Sequence, residues 1–329
     1  MTKRRNMDGP HDDPPKRGGP GAVSLTLALL LGVMFALNLS TTGDPGSTFP
    51  QVPNFFADLV QQPRQNIIRL GDWPIWLFNR DQETRRKSLP SLEGGPAIAI
   101  VVDDLGADAA RTREAIALPA NVTMSFLPYP DASQALSHRA HLAGHEIIVH
   151  LPMQPIGNEN PGAKALMSGL APAELQLRTS WALSRVSDYD GANNHMGSRF
   201  TASRADLLPV MRELRVQGLF FLDSRTTEKT KAEAVAQELG MLTGARDIFL
   251  DDDQSAAAVK HQLASVEQYA RKNGTVIAIG HPYPETLKSL EAWTKTLKSR
   301  GYQLLPLADV LKLRDAQRKV SALSPPRGD

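Results

Sequence analysis

The 329 residues contain no cysteine. A disulfide framework, a thiolate metal site and a cysteine nucleophile are therefore excluded, and any bound metal must be held by histidine and carboxylate. The absence also fits an oxidising compartment. An excess of one charge is missing too, since 37 Lys and Arg stand against 35 Asp and Glu for a formal net charge of +2. Dense basic character is confined to the first seventeen residues and to Arg85, Arg86 and Lys87. That is not the footprint of a nucleic-acid-binding face, and no nucleic-acid partner is expected. After Gly95 the chain also lacks short-period repeats and low-complexity tracts.

What is present divides into five segments. Residues 1–21 form a polar basic tail that includes Lys3, Arg4, Arg5, Lys16 and Arg17, too poor in apolar surface to fold alone. Residues 22–39 (AVSLTLALLLGVMFALNL) carry no charge. At 1.5 Å per residue they span about 27 Å, close to the roughly 30 Å hydrocarbon core of a bilayer. The positive flank lies N-terminal to this run, so the reading is a single-pass anchor in the inner (cytoplasmic) membrane, with everything after Leu39 exported to the periplasm or cell exterior. A cleaved signal peptide is the rival reading, but no small-x-small site follows the run. Residues 40–95 form a Pro/Gly-rich linker with an amphipathic island from Ile67 to Phe78, whose Trp73, Trp76 and Phe78 are expected to pack on the chain's own domain. Residues 96–315 read as the folded domain and 316–329 as a flexible tail.

The domain is organised around Ala97 to Gly106, AIAIVVDDLG, an apolar run that ends in two adjacent carboxylates. Such a run reads as a strand buried on both faces of a parallel sheet. Further strand candidates lie at 122–127, 146–151, 219–222, 247–250, 275–280 and 302–305. Helical spacing is clearest over 254–273, with Asp252 or Asp253 as cap and Gly274 at the end, and over 285–300, where Gly301 follows. Regular alternation over about 220 residues implies a distorted parallel (β/α) barrel of about seven strands, closed or nearly closed.

In such folds the polar residues that end the strands gather on one rim. In order these are Asp103 and Asp104, His150, His195, Asp223 and His281. Each has a structural alternative. One aspartate can cap the next helix, but two neighbouring carboxylates need a cation or a proton between them. His150 can be a hydrogen-bonded core residue, His195 lies in a polar Gly-flanked loop, His281 precedes a proline, and Asp223 can be a cap. Together the set has the composition of a His/His/Asp zinc site with spare acid and base groups. His138, His141 and His145 read as a solvated surface set. Asp251 to Asp253 read as an acidic triplet that complements a helix dipole.

The order VVDDLG, GHEIIVHLPM, NNHMGSRFT, FFLDSRT and IGHPYP resembles the divergent polysaccharide deacetylases, a branch of the carbohydrate esterase and chitin deacetylase superfamily, over residues 95–315. The resemblance implies a metal-dependent hydrolase of N-acetyl groups on glycans, with Asp103 as base, Asp104 and His150 as metal ligands and His281 as general acid. Ordinary members place a second metal histidine four residues after the first, where this chain has Gln154; the resemblance to the divergent branch implies His195 as the substitute. Asp223 is assigned to orient His281 or hold an arginine. Arg199 or Arg225 takes the place of the family's base-steadying arginine, and Asn194 and Ser198 join them as substrate-binding or supporting residues. The implied cofactor is a divalent metal, zinc first. The implied partner is a polysaccharide or peptidoglycan-like glycan. Two readings follow: deacetylation of an envelope polysaccharide, with O-acetyl removal as a variant, or a catalytically weak or inactive glycan-binding or envelope-assembly protein on the same fold.

Overall fold

Strand β1 (Ala97–Leu105) sets the pattern for the rest. Its first six residues are fully buried, and alternate side chains enter two different cores. Ile98, Ile100 and Val102 face the layer of helices. Ala97, Ala99 and Val101 face a smaller inner cluster. The continuous apolar run is therefore a consequence of burial on both faces. The strand also runs through Asp103 and Asp104 rather than ending before them.

The structure, a computed structural model, describes residues 94–323. The basic tail, the apolar segment 22–39, all of the linker before Gly94 and the last six residues lie outside them. Among the described residues no helix is long and apolar enough to cross a membrane. After β1 come α1 (Ala109–Ile116), β2 (Thr123–Phe126), α2 (Ser133–Leu142), β3 (Ile147–Met153), α3 (Pro172–Leu183), β4 (Tyr189–Met196) and α4 (Arg204–Val216). The chain continues through β5 (Phe220–Asp223), α5 (Ala232–Glu238), β6 (Thr243–Ala245), β7 (Ile248–Phe249), α6 (Ala256–Asn273) and β8 (Thr275–Gly280). It closes with α7 (Pro284–Leu297), β9 (Gln303–Leu304) and α8 (Leu307–Leu323), so residues 316–323 are helical.

All strand pairings are parallel, in the order β6-β5-β4-β3-β2-β1-β8-β7, with β9 beside the start of β1. The sheet thus has nine strands rather than about seven. β6 and β7 end the path and no pairing joins them among the described residues. Only Arg246 and Asp247 separate them in sequence, so the end of β6 and the start of β7 lie within about 11 Å of each other. The sheet curls into a parallel half-barrel that the chain crosses in one step.

Helix α8 fills the inside of this curl. Its Leu307, Val310, Leu311 and Leu313 pack with Ala97, Ala99, Val101, Ile148, Leu222, Ile277 and Ile279. Its first turn is fixed by Glu146, whose two carboxylate oxygens accept the Ala308 N–H at 3.1 and 2.9 Å. Burial pushes the Glu146 carboxyl up to about 8, although the Ala308 N–H favours its charged form.

Two strands were not foreseen. β4 (YDGANNHM) has few apolar residues and carries Gly191, where a Cβ would sit 2.4 Å from the Phe220 ring. β6 is only Thr-Gly-Ala. His195 accordingly stands on a strand and not in a loop. The two long helices fall as expected, with Gly274 (φ 78°) and Gly301 (φ 83°) at their ends. The cap of α6 is Ser255, which accepts from Ala258 N, rather than Asp252 or Asp253.

Candidate metal centre at the strand C-termini

The inward-facing rows that are apolar at the base of the curl turn polar toward the C-terminal ends of the strands. Val101 is followed on its face by Asp103, Ile148 by His150, Leu222 by Ser224 and Ile279 by His281. Strand register places Asn193 beside His150, in the same row. Asp104 would fall on the other face of an ideal strand. It instead adopts φ 59°, at an irregularity of β1 between Val102 and Leu105. That left-handed turn, rare for a residue with a side chain, brings the second carboxylate round to the rim.

Asp104, His150 and His195 meet there, each offering a ligand atom within 4.8 Å of the others. His195 Nδ1 lies 2.9 Å and His150 Nε2 3.3 Å from Asp104 Oδ1. The imidazole rings meet edge to face with centroids 4.9 Å apart. Asp104 Oδ1 is buried and nevertheless no contact to it has the geometry of a hydrogen bond. Two nitrogens and one carboxylate oxygen that converge without satisfying one another are a donor set suited to a divalent cation. Burial opposes charge on Asp104, but His150 and His195 outweigh it and hold the carboxyl well below its usual range. Burial likewise disfavours the His150 cation, and Asp103 and Asp104 outweigh it, so this imidazole titrates above its ordinary value.

Asn193, fully buried, fixes Asp103 and His150. Its Nδ2 donates to Asp103 Oδ1 and Oδ2 at 2.8 and 3.1 Å. Because a carboxylate only accepts, the other end of the amide is the oxygen, and it accepts from Ser125 Oγ and from His150 Nδ1, both at 2.8 Å. His150 therefore carries its proton on Nδ1 and keeps the Nε2 lone pair for the site. The adjacent Asn194, expected as a substrate-binding or supporting residue, takes a supporting place. That amide braces the rim, with Nδ2 to Met196 O and Oδ1 accepting from Ser224 N.

His281 stands across the site, its Nε2 3.9 Å from Asp104 Oδ2. Its Nδ1 meets Asp251 Oδ1 at 3.0 Å, and Asp251 Oδ2 accepts the His281 N–H and the Thr286 hydroxyl. Burial lowers the His281 pKa, but the Asp251 hydrogen bond and the charges of Asp104, Asp251 and Asp103 raise it to about 9. Asp251 is thus the partner of His281, and not merely a complement to a helix dipole. Asp223 does not reach His281. Its carboxylate accepts from Arg225 N, Thr230 Oγ1 and Glu233 N and shapes the loop after β5.

The remaining expected residues lie around this centre rather than in it. Ser198 Oγ accepts from Ile156 N. Arg199 is exposed, and its backbone N–H donates to Gln154 O. Gln154 Oε1 accepts from Ser168 N. Arg225 is exposed with φ 50°. The arginine whose charge interacts with Asp103 is Arg246. Two tyrosines flank the site. The phenol pKa values of Tyr129 and Tyr283 are raised by burial and also by Asp104. The Tyr283 ring lies 5.5 Å from that of His281. His145 is not on the surface: it is buried, its ring nitrogens against the Val122 and Ile116 carbonyls at 2.8 and 3.0 Å.

Known proteins share this arrangement of chain. Over 200 residues the sequence is 37% identical to an uncharacterized protein of Haemophilus influenzae, covering 61% of this chain and 71% of that one. The uncharacterized protein YibQ of Escherichia coli K12 is 35% identical over 204 residues, covering 62% of this chain and 63% of its own length. A crystal structure of an uncharacterized protein from Agrobacterium tumefaciens C58 is similar with a TM-score of 0.65 at 29% identity, covering 67% of this chain and 92% of that one. Residues 100–311 match the family model described as divergent polysaccharide deacetylase. This chain belongs to the divergent polysaccharide deacetylase family.

Proposed function

We propose that the protein is a metal-dependent hydrolase that removes acetyl groups from an N-acetylated envelope polysaccharide. The observation that carries the reading is the convergence of Asp104 Oδ1, His150 Nε2 and His195 Nδ1 between Asp103 and His281. These three atoms would hold a divalent cation, zinc by the chemistry of the donor set. When bound, such an ion supplies Lewis acidity toward the acetyl carbonyl and makes water a nucleophile at neutral pH.

The chain's own groups supply the proton transfers. Asp103, oriented by the Asn193 amide, takes the proton from the attacking water. His281, held through Nδ1 by Asp251, presents Nε2 to the departing sugar amine and gives it a proton. Tyr129 and Tyr283, both near enough to feel the Asp104 charge, would offer ring faces to a sugar. The uncharged run at 22–39 with its basic flank supports anchoring in the inner membrane, with the site on the outer side.

The test is acetate release from N-acetylated chitooligosaccharide and from peptidoglycan by the purified full chain, with metal measured by elemental analysis. The expected result is about one divalent ion per chain and metal-dependent acetate release. Stoichiometric metal with no acetate from any N-acetylated glycan would favour the glycan-binding reading instead.

A further inference from the structure

Beside the metal centre lies a cavity of about 260 Å³ that the proposed chemistry does not use, lined by Arg225, Thr227, Glu228, Arg246 and Asp247. Arg246 is fixed through its side chain and Arg225 through its backbone, and neither is paired with a carboxylate. Arg246 donates Nε to Ser224 O at 2.8 Å and Nη2 to Arg225 O at 3.0 Å. Both acceptors are uncharged, and three of the five guanidinium N–H groups remain. Arg225 takes up a left-handed backbone, φ 50°, held by its N–H on Asp223 Oδ1 at 2.8 Å and by the Arg246 contact to its carbonyl. Among the described residues neither guanidinium has a carboxylate oxygen within 4.0 Å. Burial and the neighbouring Arg225 charge hold the Arg246 guanidinium below its ordinary value, with Asp103, Asp223 and Asp247 only partly offsetting them.

The acidic residues of the cavity do not cancel this charge. Asp247 is committed elsewhere, its Oδ2 accepting from Ile277 N and from Arg314. Of the lining carboxylates only the exposed Glu228 remains against Arg225 and Arg246, while Asp103 and Asp223 offset part of the charge from outside the cavity. The cavity is also one aromatic ring away from the reacting groups. The Arg246 guanidinium lies 5.0 Å over Phe249, and Phe249 meets the His281 ring edge to face at 5.3 Å.

We propose that this cavity binds a carboxylate carried by the saccharide, through Arg225 and Arg246, so that acidic N-acetylated glycans are the preferred ligands. The inference depends on the deacetylase reading only for the identity of the carrier as a glycan. Planar guanidinium forks match a carboxylate in two hydrogen bonds. A positive charge already partly offset by Glu228, Asp103 and Asp223 favours the single negative charge of a carboxylate over a dianionic phosphate.

The test is calorimetric titration of the metal-loaded full chain with an alternating glucuronic acid/N-acetylglucosamine tetrasaccharide, and with the same saccharide after reduction of its carboxylates to primary alcohols. The acidic form is expected to bind about tenfold more tightly, with a preference that shrinks as salt is raised. Arg225→Ala should lower the affinity for the acidic form to that for the reduced form, Arg225→Lys should retain part of the preference, and Glu228→Gln should increase it. Equal affinity of the native protein for both saccharides, or binding of neither, overturns the proposal. So does an Arg225→Ala protein with an unchanged melting temperature that keeps the preference. Competition by inorganic phosphate stronger than by glucuronate overturns the assignment to a carboxylate. Because binding and not turnover is read, a protein that prefers the acidic saccharide yet releases no acetate would overturn the deacetylase reading alone.

Discussion

The base and the rim of the curled sheet are made by the same strands and the same inward-facing rows, yet they differ in almost every property. At the base, Ala97, Ala99, Val101, Ile148, Ile277 and Ile279 close on the apolar face of α8. One pleat higher, Asp103, His150, Asn193 and His281 occupy the same rows. The base excludes water by packing. The rim holds polar groups by pairing each with another, Asn193 with Asp103 and His150, and Asp251 with His281. Each strand thus passes from apolar packing to polar pairing along its own length, and no element belongs to one alone.

The largest effect expected is at the rim. His195→Ala should abolish stoichiometric metal and acetate release while the chain keeps its fold, as read by elemental analysis and circular dichroism. Full retention of metal would remove the centre. The converse change, Leu311→Ala at the base, should cost about 2–5 kcal/mol in denaturant unfolding and leave metal content unchanged. If it instead released the metal, the two halves would be coupled and the separation would fail. Smaller again, Asp251→Asn or Asn193→Ala should lower turnover about 10–100-fold with metal still bound, the scale seen when groups orienting a site are lost. A turnover equal to the native protein's would reduce these contacts to packing.

The most gradual effect expected is the pH dependence that Glu146 confers on the base. Its carboxyl has an ordinary value of 4.5 and is pushed up to about 8 in the fold. Between those values the folded protein keeps a proton that the unfolded chain has lost. The contribution is therefore fully present below the lower value and is lost as pH rises through the upper one, with a slope of at most about 1.4 kcal/mol per pH unit. Glu146→Gln should flatten the melting temperature over that window. An unchanged slope would show that the Ala308 N–H already holds the carboxylate ionised.

Much of the fold was legible because apolar runs announce strands buried on both faces. Ala97 to Val102 and Thr275 to Gly280 are found as expected. β4 was not legible, since its buried face is polar and Gly191 replaces a side chain with room for Phe220. The site followed the same logic. Histidines and paired aspartates are rare enough to stand out, and Asp104, His150 and His195 do assemble. Asn194 does support the rim, but Asn193 was not legible, because a polar Gly-flanked stretch reads as a loop and only its pairing as a strand puts Asn193 beside His150. Asp251 looked like the start of a helix because two more aspartates follow it. Only the pairing of β7 with β8 reveals that it stands beside His281.

The left-handed backbone at Asp104, Met196 and Arg225, all on the rim, has a bearing on engineering this protein. Glycine is the residue such torsions favour, and each replacement would relieve on the order of 1 kcal/mol of local strain. A screen that selects only for heat tolerance would drift toward glycine at these positions. At Asp104 that drift would delete a carboxylate from the candidate metal centre, so the hardiest variants would be the ones that had lost a ligand atom of the site.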